Sequence, residues 1–310
     1  MIISCGEALI DFFKIDETGD FKPLLGGSLM NVAVAMAKAG NNAALMTNLS
    51  TDQFGDRFFN YLIENNVSTK YVVRSDHQTG LMVVAYNADK SASYNYYGHN
   101  SAELSYEYNA QTLGLSDDVN CLHFGSFCLV IGKTASSYPA LIADEHKNRI
   151  ISIDLNIRDT VEGDMQLWDA SFDKLLPMTH IAKASADDVM LMHGLDKMSQ
   201  ASCFEYMQSW QDKGAKMSVI TDADKGAYIL WKGEQIHLMG KKADIIDTVG
   251  AGDCFMANFL CKLDRDGLLN VDGFDDISVD QVKAAAGYAI DAATFTIAHK
   301  GAVFPAPTDL

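Results

Sequence analysis

The sequence predicts an α/β fold: a mostly parallel central sheet with helices on both faces, and a small antiparallel β-lid. Three observations carry this. Strand-like and helix-like segments alternate over most of the 310 residues, the order that gives parallel sheets covered on both sides. One stretch, residues 71–97, offers strands with no helix between them, which reads as a local antiparallel piece. A 48% hydrophobic content over this length is ample for a sizeable core, and nothing Pro- or Ser-rich marks a domain boundary. One domain over residues 1–310 is expected, with a lid from about 12–22 and 77–106.

The elements follow in order. Met1 to Cys5 reads as a short buried strand ending at Gly6, with Glu7, Asp11 and Asp16 in the half-apolar segment after it. Gly26-Gly27-Ser28 opens a helix over Leu29–Ala39, stopped by Gly40 at the position where helices favour glycine. Ala43–Thr47 is strand-like, and Phe54–Glu64 is helical with Phe54, Phe58, Tyr61 and Leu62 on one face. Tyr71–Val73, Leu81–Tyr86 and Ser91–Tyr97 are expected strands, with a hairpin turn at Asn87-Ala88-Asp89-Lys90. Strands are then expected at Cys121–Phe124, Arg149–Asp154, His180–Ala184 and Lys216–Thr221, with helices at Thr134–His146, Asp187–Met192 and Phe204–Lys213. Ala227–Trp231 and Gln235–Leu238 form a hairpin, and helices over Phe255–Leu260 and Val282–Ala298 close the chain.

Charge and cysteine usage narrow the function classes. A net charge of −17 leaves no basic field for nucleic acid or an anionic membrane. No apolar run approaches the roughly 20 residues that span a bilayer, and Met1–Gly6 has no signal-peptide pattern. Six scattered cysteines without metal spacing fit a reducing, cytoplasmic compartment.

The chemistry centres on Asp247-Thr248-Val249-Gly250-Ala251-Gly252-Asp253. Small residues at a helix start let backbone N–H groups approach an anion, and the helix dipole favours negative charge there. By itself the motif serves equally as a glycine loop with an acidic cap. Its position after an expected strand, in line with Asp154, Ser185 and Thr221 at other strand ends, favours a ligand site outside the carboxyl ends of the sheet. Phosphoryl transfer to an alcohol needs electrostatic relief, usually with Mg²⁺, and a carboxylate to take the hydroxyl proton. Gly250, Ala251 and Gly252 offer the N–H groups and Asp253 the carboxylate. Asp11 and Asn31, with Gly26 and Gly27 for close backbone contact, are candidates for sugar hydroxyls. Asp11 also reads as a solvated loop acid, and Asn31 as a helix-start residue.

Other motifs carry less. Ser126 lacks a Gly-x-Ser-x-Gly elbow. His123 reads as a satisfied strand-end histidine. Gly132-Lys133-Thr134 resembles the tail of a Walker A loop, but Phe127 stands where the upstream glycine belongs. A dinucleotide fingerprint is missing, since only Gly6 follows the first strand.

Together these residues resemble the PfkB family of carbohydrate kinases, with the ribokinase-like fold. The resemblance rests on Asp247–Asp253, on Gly26-Gly27 with Asn31-Val32-Ala33, and on the acidic turn Asp52-Gln53-Phe54-Gly55. Cys5-Gly6-Glu7 through Phe12, His123–Ser126 and Asp154-x-Asn156-x-Arg158 are most similar to the fructokinase branch. It implies Asp253 as catalytic base, Gly250–Gly252 as anion hole, and Asp11, Gly27 and Asn31 as sugar contacts. It also implies ATP near Ser185, Thr221, Gly226, Lys300 and Gly301, Mg²⁺ reached by Asp188 through water, and K⁺ near Asp247. The substrate implied is fructose, with ribose, a nucleoside or 2-keto-3-deoxygluconate as alternatives; Arg158, if it faces the pocket, favours an acidic sugar. A non-catalytic sugar- or nucleotide-binding protein on the same fold is the other class. A homodimer through the lid edge is a further expectation.

The chain departs from the family pattern at four places. Ser185-Ala186-Asp187-Asp188 replaces Asn-x-x-Glu, and Thr221-Asp222-Ala223-Asp224-Lys225-Gly226 replaces Thr-Leu-Gly-x-x-Gly. Leu155 stands for the usual proline, and Ser28-Leu29-Met30 is bulkier than the usual small residues.

Overall fold

The computed structural model describes residues 1–15, 18–86 and 92–310. The strands are β1 (Ile2–Cys5), β2 (Leu9–Lys14), β3 (Phe21–Gly26), β4 (Ala43–Ser50), β5 (Val72–Ser75), β6 (Leu81–Tyr86) and β7 (Ala92–Tyr97), then β8 (Cys121–Gly125), β9 (Ile150–Asp154), β10 (Ile181–Ser185), β11 (Met217–Thr221), β12 (Ala227–Trp231) and β13 (Glu234–Leu238). The helices are α1 (Ser28–Lys38), α2 (Gln53–Glu64), α3 (Thr134–Glu145), α4 (Met165–Leu175), α5 (Ala186–His193), α6 (Gln200–Asp212), α7 (Ala251–Arg265) and α8 (Val279–Ile297).

Nine strands form one sheet in the order β13-β12-β11-β10-β9-β8-β1-β4-β5. It is parallel from β11 to β5, and antiparallel only at the β11–β12–β13 end. Strands buried on both faces read as continuous apolar runs, and alternate residues serve opposite layers. Ile2, Cys121, Ile150 and Ile181 pack with α1, α7 and α8. Their neighbours Ile3, Leu122, Ile151 and Ala182 pack with α3, α4 and α6.

A second sheet has the order β3-β2-β6-β7. Its outer pairs are antiparallel, as expected of the lid, but the central pair β2–β6 is parallel. One side of it, through Ile10, Phe12, Leu25 and Leu81, packs on Met30 and Val34 of α1 and on Phe54 and Phe58 of α2. The expected turn at Asn87–Lys90 lies outside the described residues, as does Asp16.

Four expectations are corrected. The strand near Tyr71–Val73 does not belong to the small sheet: β5 pairs parallel with β4 at the edge of the large one. Phe21–Gly26 is a strand, antiparallel to β2. Helix α4 was not anticipated, although Trp168, Phe172 and Leu175 bury a helical face and Asp164 caps it by accepting from Gln166 and Leu167 N–H. Gly250 does not follow a strand directly: β13 ends at Leu238, and residues 239–250 are loop before α7. No helix of the described residues is long and apolar enough to cross a membrane.

Candidate active site

The site forms where the starts of α1 and α7 meet the carboxyl ends of the central strands. Helix α7 begins at Gly250, whose φ of 77° is left-handed, a region in which glycine carries no steric cost. Asp247 fixes the loop before it: Oδ1 accepts from Val249 N–H at 3.1 Å and Oδ2 from Gly301 N–H at 2.9 Å. The acid expected near a monovalent cation therefore also ties the 247–250 loop to the turn carrying Lys300 and Gly301.

Asp253 lies in the first turn of α7 and is 8% exposed. Ser28 Oγ donates to its Oδ1 at 2.6 Å, and Asn31 Nδ2 donates to its Oδ2 at 2.9 Å. Both donors come from the first turn of α1, so Asn31 is more than a helix-start residue. Burial pushes the Asp253 carboxyl above the ordinary range, and these two hydrogen bonds, then the charges of Arg158 and Lys183, pull it back.

Beside this pair the chain folds tightly. A Cβ on Gly26 would meet Asp11 Oδ2 at 2.1 Å, and one on Gly27, where φ is 111°, would meet Glu7 O at 2.5 Å. Position 27 therefore admits only glycine, whereas a side chain at position 26 would have to displace the Asp11 carboxylate. Asp11, on β2, is pushed up to about 6 by burial, which the charge of Arg158 opposes. It is thus not the solvated loop acid of the other reading. Arg158 donates to Ile157 O at 2.8 Å, and its charge acts on Glu7, Asp11 and Asp253 together.

The other candidates line the ends of β9, β10 and β11. Ser185 and Thr221 are register partners at the ends of β10 and β11. Ser185 caps α5 in a capping box with Asp188. The Asp188 carboxylate accepts from Ile157 N–H at 2.8 Å, from Ser185 N–H at 2.8 Å and from Ser185 Oγ at 2.6 Å. Those contacts turn much of it toward the protein. Gly226 has φ 88°, and a Cβ there would meet Leu238 O at 2.1 Å. In the altered segment, Lys225 Nζ pairs with Asp222 at 2.8 Å, which neutralises one of its two acids. Ala223 takes φ 41°, so the left-handed backbone suited to glycine persists with alanine, at about 1 kcal/mol of strain.

The discounted motifs are only partly accounted for: His123 Nε2 and Ser126 Oγ are both buried without a partner, against the expectation of a satisfied histidine. His123 is fully buried, its Nδ1 is 3.0 Å from Ser152 Oγ, and burial pushes it down to about 3, so it stays neutral. Lys133 pairs with Glu107 on an exposed surface.

Three residues escaped the sequence reading. Glu7 is buried at the end of β1; its Oε1 accepts from Ser28 N–H at 3.0 Å, and burial pushes it up to about 7. Ser28 was noted for bulk, not as a donor to Asp253. Lys183 is buried in β10 and donates to Asp154 Oδ2 at 2.7 Å. The one available signal was a lone lysine in an otherwise apolar strand, since lysine is rarely buried without a partner.

Among the described residues no group of three or more His, Cys, Asp or Glu is arranged to hold a metal ion. Mg²⁺ at phosphate sites usually takes only one or two protein carboxylates. Asp154 Oδ1, buried without a partner, and Asp188 fit that requirement.

A model of the pfkB family carbohydrate kinases matches residues 1–309. The chain belongs to the pfkB family of carbohydrate kinases. It is an ATP-dependent sugar kinase. A fructokinase of Rhizobium leguminosarum bv. trifolii is 31% identical over 272 residues, 87% of this chain and 81% of that protein. Among solved structures, a fructokinase with bound ATP from Xylella fastidiosa matches with a TM-score of 0.86 at 22% identity, covering 99% of this chain and 96% of that one. A double mutant of the Vibrio cholerae O395 fructokinase, in a fructose, ADP and potassium ion bound form, matches with a TM-score of 0.84 at 22% identity and the same coverages of 99% and 96%. At these identities the two structures support the fold.

Proposed function

We propose that this kinase transfers the γ-phosphoryl group of ATP to a primary hydroxyl of a monosaccharide, fructose first among the candidates. One observation carries the reading. A buried carboxylate at the start of α7 is held by Ser28 and Asn31 of α1, beside a glycine pair that admits close approach. Asp253 would accept the hydroxyl proton while the Gly250–Gly252 N–H groups face the phosphoryl group. Base catalysis of this kind contributes about 10²–10⁴-fold.

Asp11 and Asn31 would order the sugar, and Arg158, whose charge acts on the same carboxylates, would balance their negative field. Mg²⁺, when bound with ATP, relieves the charge on the phosphates, and Asp154 and Asp188 would hold it. Asp247 with neighbouring carbonyls would hold K⁺, and Ser185, Thr221, Gly226, Lys300 and Gly301 would border the nucleotide. The lid expected over about 12–22 and 77–106 of one 310-residue domain, to which the small sheet contributes, would close over the sugar and exclude water. Its outer edge, with Phe21 44% and Leu24 39% exposed, suits a homodimer, which sedimentation would reveal. Six free, buried cysteines suit a reducing cytoplasm.

The test is ADP release with ATP, Mg²⁺ and a panel of fructose, ribose, nucleosides and 2-keto-3-deoxygluconate, alongside Asp253→Asn. Fructose is expected to stimulate ADP release most. If no acceptor raises it above the variant's level, while a ligand still raises the melting temperature, the protein is a binder and the reading fails.

A further inference from the structure

Ser28 belongs to a stretch, Ser28-Leu29-Met30, where the chain departs from the usual small residues of its family. It is the first residue of α1 and is buried. Its backbone and its side chain meet two different acids. The N–H donates to Glu7 Oε1 at 3.0 Å, and Oγ donates to Asp253 Oδ1 at 2.6 Å. Glu7 follows β1 and Asp253 opens α7, so three distant segments join in this one residue. A serine near a helix start commonly spends its hydroxyl on neighbouring backbone. Here the cap position is Gly27, without a side-chain cap, and the Ser28 hydroxyl crosses to α7 instead. Asn31 lies three residues on, hence on the same face of α1, and takes the other Asp253 oxygen. Two donors on two oxygens fix the rotation of the carboxyl group.

A base must also be ionised, and burial works against that. Burial raises the Asp253 pKa; the Ser28 hydrogen bond leads the influences that lower it, ahead of Asn31, Arg158 and Lys183. The charge of Asp253 acts in turn on Glu7 and Asp154. We propose that Ser28 is a positioning residue for the transfer: anchored to Glu7 by its N–H, it aims the Asp253 carboxylate and keeps it ready to take the sugar proton. This rests on the kinase reading. In the step the sugar O–H proton passes to Asp253, the sugar oxygen bonds to the γ-phosphorus, and the bond from that phosphorus to ADP breaks. Ser28 keeps its own proton and acts only through Asp253. A donor on a carboxylate favours its ionised form while making it a weaker base. The departure from the family at this position therefore has a chemical consequence as well as a steric one.

The test is the pH profile of kcat/KM for the sugar, which follows the free enzyme's base. Ser28→Ala removes the hydroxyl and leaves the N–H on Glu7. It is expected to lose at least about tenfold near about pH 6, the worth of one hydrogen bond to a charged group. Most of that loss should return near about pH 9, where Asp253 ionises without help, and the ATP KM should stay within about twofold. Ser28→Thr, which keeps the hydroxyl, should follow the wild-type profile. Ser28→Cys, a weaker donor of similar size, should fall between, and it carries the test if Ser28→Ala does not fold. A folded Ala or Cys variant with the same loss at every pH reports a structural role and overturns the proposal. So does a profile within about twofold of wild type throughout, or a folded Ser28→Thr that behaves like Ser28→Ala. A wild type without acceptor-stimulated ADP release overturns the kinase reading first, and this proposal with it.

Discussion

The two sides of the site are built differently. On the proposed sugar side, side chains hold one another: Ser28 and Asn31 on Asp253, Glu7 on the Ser28 N–H, Asp11 against Gly26. On the proposed nucleotide side the backbone is the constant part. Ser185 and Thr221 share a register, Gly226 folds under Leu238 O, and Gly301 N–H is held by Asp247. The difference accounts for the departure at Thr221–Gly226, but not for those at Ser28–Met30 and Ser185–Asp188, where side chains are hydrogen-bonded to one another or to the site. A site made of backbone tolerates Asp222, Ala223 and Asp224, because the loop keeps its path, with Ala223 at φ 41° and Lys225 paired to Asp222. A site of interlocked side chains has less freedom, and Asp253, Asn31, Gly26 and Gly27 follow the pattern.

The comparison can be broken most decisively at Asp253. Asp253→Asn keeps both hydrogen-bond partners in reach, so kcat should fall about 10²–10⁴-fold with little change in melting temperature. Because burial raises the Asp253 pKa, wild-type kcat/KM should decline as pH falls through that raised value, and a flat acidic limb would argue against Asp253 as the base. Gly26→Ala comes next. Its methyl must displace Asp11 Oδ2, so the sugar KM should rise at least about tenfold and stability fall by about 1–3 kcal/mol. The ATP KM should hold steady; if it moved equally, the two sides would not be separable.

Glu7 offers a pH test. Its folded pKa is near 7 against 4.5 unperturbed, so the folded state binds the proton more tightly than the unfolded chain. Its contribution favours folding below about 4.5 and is lost as pH rises to about 7, in all roughly 3 kcal/mol. Glu7→Gln keeps an acceptor for the Ser28 N–H, so it should flatten this part of the stability profile and raise the melting temperature at pH 8. An unchanged slope in urea melts between pH 4.5 and 7 would refute this. The smallest effect is expected on the other side. Ala223→Gly relieves the left-handed strain and should change stability by no more than about 1 kcal/mol, with the ATP KM within about twofold. A large change in ATP KM would show that the side chain at 223 matters, contrary to a backbone-built site.

Local patterns determined much of this. Alternating strands and helices gave the sheet, and the Gly250–Asp253 stretch, with Gly26-Gly27 and Asn31, gave the centre of the site. The strand at Phe21–Gly26 was missed because Pro23 and exposed alternate residues weaken the pattern of an edge strand. The parallel pairing of β5 was missed because neighbours in sequence suggested a meander. Helix α4 carried its period in Trp168, Phe172 and Leu175, diluted by polar residues between them. Lys183 and Glu7 were invisible in another sense. A sequence shows that a charge exists but not which charge it will face. Whether Lys183 is a surface lysine or an ammonium 3.4 Å from the Cβ position of Gly252 depends on β9, β10 and α7 meeting across about 70–100 residues of chain. The sequence alone therefore determined the elements and the motif, whose signals are local. The partners of each charge were decided only by tertiary structure, because electrostatics depends on distance and burial, not on order along the chain.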